Sequence, residues 1–510
     1  MARADYFDRA IQAAFHVLGN LNQQSFLEKI DNCRVAVAFD CNVAAAEGDA
    51  SVDLVVRLLA RFYPKLAILP LDPVAEAVVP KFKALARAIN PKIAITERAL
   101  GIREAIVVGK TPLIIRGVSP IYIGSHGWIA GLSCKEPIGS MVSNNPFGAG
   151  IAACLGAANI FRHIFTNVPL DDEIRISALD LDPQASEPVN FGDGKIDLGE
   201  VFLVGAGAIG NGFLWGISRY TELKGRLHVI DHDNVDLSNL QRYILTERKD
   251  NGLPKSKKAA DVFAHHPGIH VNSIAEKWEE FLDSMPSDQW LFNRVVSALD
   301  TPRDRINLQA SLPRWVVNAW TGTGDIGVSH HDFTEHACLA CLYMPTKEAL
   351  NEDQLIAQAF GFSQDQTTLL EIRTKIETAW LIERSFLERI SVAKEVPIEK
   401  LLPFEGQLIR SLYSQGVCSG AVMELANGPS IQRAEVPMPF QSALAGILEA
   451  AVLVAHAGGL IQVPRMTRIN LMKPFPKTRG FSWNPAKHAR CFCNDDEYKD
   501  RFSEKYMSLA

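Results

Sequence analysis

The sequence predicts an α/β chain built of two related, doubly wound halves. Three observations carry this. Val201–Arg242 runs strand, glycine turn, helix, strand, acid. Short apolar runs alternate with helical runs on the N-terminal side of it, the pattern of a largely parallel sheet. A small-residue helix follows a Pro-Phe turn once in each part, after Pro146-Phe147 and again after Pro439-Phe440.

The central stretch is the most informative. The apolar run Val201–Val204 ends in Gly205-Ala-Gly207-Ala-Ile-Gly210, and a helical pattern comes next. A second apolar run, Leu227–Ile230, ends at Asp231. Such glycines let the backbone approach a phosphate at a helix N-terminus, where free N–H groups and the dipole favour anions. Asp231 stands at the spacing of a ribose hydroxyl contact. Alone, G-x-G-x-x-G suggests a dinucleotide dehydrogenase. The residues just past the second strand change that reading: Asp231, Asp233, Ser238, Asn239 and Arg242 put carboxylates, an amide and an arginine there. A dehydrogenase needs one acid at that place. An enzyme that splits a triphosphate needs metal-binding and phosphate-binding groups converging on the glycine turn.

Composition sets the bounds. At 510 residues two or three domains are expected. Hydrophobic content of 47% and charged content of 22% are those of a globular protein. A net charge of −6 gives no case for nucleic acid. No apolar run reaches the roughly 20 residues that span a bilayer, so no membrane role is expected. The N-terminus lacks a signal-type apolar core, and the expected location is the cytoplasm. Nine cysteines suggest thiols kept reduced for metal or chemistry rather than a disulfide scaffold.

The first part spans residues 1–188. Tyr6–Leu18 has helical spacing, and Val35–Phe39, Leu66–Leu69 and Ala105–Val108 read as buried strands. Phe39-Asp40-Cys41-Asn42 stands where a nucleotide turn would succeed the first strand. It offers no glycine for phosphate approach, so this half is expected not to bind ATP. The helices Asn145–Asn159 and Pro439–Ala451 share a design that allows close packing. Two related halves on one chain imply a pseudo-two-fold dimer; chance similarity of two Ala/Gly-rich helices is the alternative. Asp171–Gly199, with its Asp-Pro, Glu-Pro and Gly-Asp-Gly, reads as a linker or hairpin between the halves.

The second part spans residues 189–510. Lys255 follows Gly252-Leu-Pro254 at a helix start, where a cation reaches a triphosphate or simply meets solvent. Arg294–Leu299 is the next buried strand, ending in Asp300. Ligands lie at the carboxyl ends of strands in open α/β sheets. Asp300 therefore faces the crevice of Gly205 and Asp231, as a Mg²⁺ ligand, a helix N-cap or both. Cys338-Leu-Ala-Cys341 pairs with Cys491-Phe-Cys493, and four thiolates make a closed tetrahedral zinc site. Residues 347–415 form a charged helical insertion, with amphipathic runs such as Thr367–Ile390; a solvated hairpin and a partner-docking subdomain are equally open. Cys418 lies in the small-residue loop 416–424, which leaves a thiol accessible, although a lone cysteine is more often a core residue.

Taken in order, G-x-G-x-x-G, D-x-D, S-N-L-x-R, P-K, a strand-end Asp and C-x-x-C resemble the ThiF/MoeB/ubiquitin-activating enzyme superfamily, from about Gly199 to Cys493. The resemblance implies two Rossmann-like adenylation-type domains, the N-terminal inactive and the C-terminal active. It implies that Gly205, Gly207 and Gly210 line an ATP site, that Asp231 binds the ribose and that Asp300 binds Mg²⁺. Asn239, Arg242 and Lys255 would then hold the phosphates. Tyr243 stands where the family usually has glutamine, which unsettles the local geometry. Tyr6-Phe-Asp-Arg9 resembles the family's opening segment, whose arginine reaches a partner's ATP site; Arg9 would do so within one chain. The setting of Cys418 is similar to that of the thioester cysteine of single-domain activating enzymes. The arrangement of halves resembles bacterial activating enzymes of antiphage conjugation operons. The implied partners are a ubiquitin-like protein and an E2-like conjugating enzyme, and no separate conjugating domain is read in this chain. Activation of a sulfur carrier, or adenylation of a peptide without a thioester, is the alternative, and a homodimer is left open.

Overall fold

The computed structural model describes residues 3–18, 23–140, 142–166, 168–182, 195–286, 290–322, 325–345, 352–394, 396–413, 436–460, 465–475 and 483–507. The chain divides into two compact units: Met1–Met344 with Pro437–Ala510, and Pro345–Val436.

The first unit contains both halves. In the N-terminal half, helices α1 (Phe7–Leu18) and α2 (Gln23–Asn32) precede strand β1 (Val35–Phe39). Then come α3 (Ala46–Phe62), β2 (Lys65–Pro70), α4 (Pro73–Ile89), β3 (Ala94–Thr96), β4 (Glu104–Val108), β5 (Pro120–His126), β6 (Ile129–Ser133), α5 (Phe147–Phe165) and β7 (Glu173–Ser177). Every residue of β1 and β4 is buried, which suits a strand covered on both faces and explains their unbroken apolar runs.

The second half begins at β8 (Ile196–Val204), followed by α6 (Ala208–Arg219), β9 (Leu223–Ile230), α7 (Lys255–Val262) and β10 (Ile269–Ile274). It continues through α8 (Trp278–Ser284), β11 (Arg294–Ser297), α9 (Pro302–Ala310), β12 (Trp315–Thr321) and β13 (Ile326–Asp332). After the insertion it closes with α14 (Pro439–Ala457), β14 (Met466–Ile469) and α15 (Asp496–Met507).

The two sheets have one design. Their orders are β3-β2-β1-β4-β5-β6-β7 and β10-β9-β8-β11-β12-β13-β14. In both, the first four pairings are parallel and the last two antiparallel. The buried helices α5 and α14 occupy the same place in each, before the last strand. Shared topology, rather than chance composition, accounts for the similar helices. Both are long and apolar enough to cross a bilayer, but 89% of each apolar window is buried inside the fold.

The halves meet through α3, α5, α6 and α14. Small residues set the approach: a Cβ on Gly150 of α5 would lie 2.7 Å from the Trp215 ring of α6. Phe161 meets Phe440 at 5.8 Å between ring centres. Asp53 of α3 accepts from Arg57 at 2.8 Å and from the Trp215 indole at 3.1 Å, and pairs with Arg219 at 2.8 Å.

Three sequence expectations need correction. Asp171–Gly199 is not a simple linker. Asp171 is buried, bonding Arg162 at 2.5 Å and Asn159 at 2.9 Å, and β7 and β8 both draw on the stretch. Thr367–Ile390 is two helices, α11 (Gln366–Glu377) and α12 (Arg384–Lys394), broken near Ala379 with its φ of 49°. With α10 (Glu352–Phe360) and α13 (Ile409–Ser411) they enclose a core of Ile356, Phe360, Ile372, Phe386, Leu387 and Ile390. The insertion is therefore a small folded unit and not a solvated hairpin.

Candidate active site

The glycine turn sits where β8 ends and α6 begins. Gly205 has φ of +97°, and a Cβ there would lie 2.6 Å from the Ala298 carbonyl oxygen. A Cβ on Gly210 would lie 2.4 Å from the Gly205 oxygen. The fold itself demands these two glycines. Gly207 differs. A Cβ there would meet nothing nearer than the Tyr243 hydroxyl, at 3.5 Å. Protein packing gives no reason for that glycine, whereas a ligand seated on the turn does. Gly207 is the N-cap of α6 and supplies no side-chain cap, so the helix end presents free donors.

Asp231 directly follows β9 and braces this turn. Its carboxylate accepts from the Ala206 N–H at 2.7 Å and the Asp233 N–H at 2.9 Å. The segment 233–235 pairs with 252–255, through Val235 N–H to Leu253 O and Lys255 N–H to Asp233 O. This clasp brings Lys255 to 2.7 Å from Asp233 and 4.0 Å from Asp231. Burial alone would push the Lys255 ammonium down, but Tyr243, Asp231 and Asp233 outweigh it and hold it above the usual lysine value. Burial pushes the Asp233 carboxyl up, and Lys255 overcomes that to hold it low.

Arg242, Arg9 and Asp300 complete the cluster. Arg242 succeeds a 3₁₀ turn, Leu237–Gln241, closed by Asp236 and Asn239. The Asn239 side-chain oxygen accepts from the Asp236 N–H at 3.0 Å, so it shapes this loop. Burial lowers the Arg242 guanidinium; Tyr243 and Asp300 act in the opposite sense, and the positive charge of Arg9 adds to the lowering. Arg9, on α1 of the first half, is exposed and bonds Gln12 at 2.9 Å. Asp300 is exposed past the end of β11; the cap of α9 is Thr301, not Asp300. Asp300 is thus left free of the capping role that the sequence allowed. Cys418 and the loop 416–424 lie outside the described residues.

The first half fills the matching place with its own acids. Asp40, after β1, accepts from the N–H groups of Asn42, Lys110 and Thr111 at 2.7–2.9 Å. Glu47, at the start of α3, is buried and accepts from the Gly127 N–H at 2.5 Å. Burial pushes its carboxyl up to about 7. A phosphate there would meet carboxylates.

The four cysteines converge as expected. Cys338 caps the 3₁₀ turn Leu339–Leu342 that holds Cys341, and Cys491 caps the turn Phe492–Asn494 that holds Cys493. The Sγ atoms of 338 and 341, 338 and 491, and 341 and 493 are 3.9, 3.5 and 3.4 Å apart. A tetrahedron of zinc–sulfur bonds at ~2.3 Å needs sulfurs about 3.8 Å apart. All four are buried, and the His488 N–H donates to Cys341 Sγ at 3.3 Å. Bonding from Cys338 and Cys491 holds the Cys341 thiol below its usual value. The set could hold zinc.

With this geometry in place, comparison with known proteins decides the family. The ThiF family model matches residues 191–478. The chain belongs to the ThiF family. A second model, Prokaryotic E2 family C, matches residues 38–166 of the first half. The sequence reading found no conjugating domain there. The E2-named match covers a half whose strand order repeats that of the ThiF half. The chain is 41% identical to the uncharacterized protein y4jF of Sinorhizobium fredii, over 99% of this chain and 98% of that one. It is 29% identical over 158 residues to the Nedd8-activating enzyme E1 catalytic subunit of Drosophila melanogaster, covering 28% of this chain and 34% of that protein. A crystal structure of E. coli MccB with MccA-N7isoASN matches at 14% identity and a TM-score of 0.34, over 57% of this chain and 66% of that one. The chain thus spans nearly all of y4jF but about a third of that activating-enzyme subunit.

The sequence reading of this ThiF-family chain missed Asn211. Its Nδ2 donates to the Ala206 and Gly207 carbonyls at 3.0 and 2.9 Å, and its Oδ1 accepts from the Leu245 N–H at 3.1 Å. The signal was present: an amide directly after the third glycine, in an otherwise apolar helix. Tyr243 was read only as a departure. It is buried, with Lys255 5.5 Å over its ring, and floors the turn.

Proposed function

We propose that this protein activates the C-terminal carboxylate of a ubiquitin-like protein with ATP and passes it on as a thioester. The observation that carries the reading is Gly207, a glycine that packing does not require, at an uncapped helix end beside Tyr243; Lys255 lies over that ring, and Arg242 interacts with Tyr243, Arg9 and Asp300.

The chemistry runs in two steps. A carboxylate oxygen of the terminal glycine attacks the α-phosphorus of ATP. The bond to the β-phosphate oxygen breaks, pyrophosphate leaves, and an acyl adenylate forms. Backbone N–H groups of α6 hold phosphate oxygens, and Arg9, Arg242 and Lys255 offset the charge that builds there. Asp300 and Asp233 would supply the hard oxygen donors that Mg²⁺ takes, and the ion would offset the charge of the leaving pyrophosphate. The Cys418 thiolate then attacks the acyl carbon, AMP departs with the former carboxylate oxygen, and the thioester is ready for an E2-like enzyme. The zinc set ties the tail of the chain to the ThiF half, a structural role. Relatives that bear the names of activating enzymes and an E2-named match in the first half support conjugation over sulfur transfer.

Pyrophosphate exchange with a candidate modifier tests this. Asp300→Ala should abolish exchange. Cys418→Ala should leave exchange intact while removing a thiol-sensitive conjugate. Loss of exchange in the cysteine variant would refute the division of labour.

A further inference from the structure

Arg61 lies in the last turn of α3, in the half that lacks the glycine turn, and is 1% exposed. Its Nη2 donates to the carbonyl oxygens of Tyr243, Ile244 and Thr246, at 2.7, 3.0 and 2.6 Å. Its Nη1 donates to the Arg57 carbonyl at 2.8 Å, and Arg57 reaches the Ile244 carbonyl at 3.0 Å. Burial lowers the Arg61 guanidinium to about 10. Backbone carbonyls rather than a carboxylate accept from it. The three carbonyls belong to one short strap that leaves the Leu237–Gln241 turn directly after Arg242. The Tyr243 carbonyl also accepts from the Thr246 N–H at 3.1 Å and hydroxyl at 2.8 Å, and Ile244 keeps Arg57, so loss of the guanidinium would cost the strap its shared anchor and leave the buried Thr246 carbonyl without its donor.

The strap is held from the other side as well. The Leu245 N–H donates to Asn211, and Asn211 holds the Ala206 and Gly207 carbonyls. A continuous series of hydrogen bonds therefore runs from a first-half helix, through the strap, to the glycine turn of the second half. Arg242 and Tyr243 lie at the strap's start, and Tyr243 sits under Gly207.

We propose that Arg61 is a positioning residue for the nucleotide site: it fixes the strap that carries Arg242 and Tyr243, so the affinity of the ThiF half for ATP depends on the first half. This rests on the reading that ATP binds at the glycine turn. The planar guanidinium matters because several carbonyls must be met from one buried point, which a lysine does only in part.

The test uses the full chain. MgATP affinity is measured by calorimetry, and exchange of the Leu245 amide by hydrogen–deuterium exchange, in wild type, Arg61→Gln, Arg61→Lys, Asn211→Ala and Trp215→Phe. Trp215→Phe removes an indole bond to Asp53 at the same interface; it leaves Asp53 its pairs with Arg57 and Arg219 and removes no hydrogen bond made directly to the strap. Arg61→Gln should lower affinity at least tenfold and expose the Leu245 amide, Arg61→Lys should recover part of both, and Trp215→Phe should keep affinity within twofold. If Arg61→Gln fails to fold, Arg61→Lys and Asn211→Ala must show the linked loss. The proposal is overturned if affinity holds while the amide opens, if neither changes, or if Trp215→Phe weakens ATP as much. A wild type that does not bind ATP would instead sink the nucleotide reading, while Leu245 exchange would still decide whether Arg61 holds the strap.

Discussion

Arg9 and Arg242 come from opposite halves of the chain, and their positive charges oppose each other. The charge of Arg9 adds to the effect of burial in lowering Arg242, against the opposite pull of Tyr243 and Asp300. Like charges brought together are unfavourable unless an anion sits between them. On the proposed reading, such a pairing is what a phosphate site shared by the two halves would require.

Arg9 is exposed and bonds only within its own helix to Gln12, among the described contacts. Arg9→Ala should therefore change thermal stability by less than about 0.5 kcal/mol. It should still weaken MgATP binding by about tenfold or more, and the difference from wild type should shrink at high salt. Titration calorimetry at two ionic strengths checks both.

The glycines should separate by role. Gly205→Ala places a Cβ at φ +97° and 2.6 Å from the Ala298 oxygen, so it should cost about 2 kcal/mol or more of stability. Gly207→Ala meets only the Tyr243 hydroxyl, at 3.5 Å, and should fold like wild type while losing ATP binding. Melting curves beside ATP titrations separate the two.

The cysteine cluster should carry one zinc per chain. Cys338→Ser or a strong chelator should remove it and lower the melting temperature by about 5 °C or more. Hydrogen exchange should rise in α15, which is tied to the cluster through Phe502 against Phe333 at 5.1 Å. Elemental analysis and exchange mass spectrometry provide the readouts.

Glu47 gives a pH dependence. Its carboxyl is pushed up to about 7 in the folded chain, against an ordinary value of 4.5. The folded state thus holds a proton that the unfolded state has lost between these values. The stability linked to that proton is complete below pH 4.5 and is lost as pH rises through 7. Glu47→Gln keeps an oxygen for the Gly127 N–H and cannot ionise. It should be more stable than wild type at about pH 8, by at most about 3 kcal/mol, and the gap should close by about pH 4.5. Denaturant melts across that range provide the check.

Some of this was open to a reader of residues alone. G-x-G-x-x-G between two apolar runs fixes strand, turn and helix, because each segment's local preference agrees with the fold. The cysteine pairs were equally readable, since their spacing has one economical use. The strand inside Asp171–Gly199 was hidden by polar neighbours, although Glu173-Ile-Arg-Ile-Ser alternates as a half-covered edge strand does. Arg61 was hidden for a different reason. Its partners are backbone carbonyls some 180 residues away, and carbonyls leave no mark in a sequence. Asp53, Arg57 and Arg61 do recur every fourth residue through an apolar helix. Charges spaced so regularly on a buried face need an answer elsewhere in the fold.

The account's core is that a carboxylate oxygen of a protein tail becomes bonded to the α-phosphorus of ATP in this crevice. The most direct measurement supplies a ubiquitin-like protein whose terminal carboxylate carries oxygen-18, and weighs the AMP released on thioester formation. One heavy oxygen in AMP is the expected result. Heavy oxygen in orthophosphate or pyrophosphate, or AMP without label while conjugate accumulates, would contradict it.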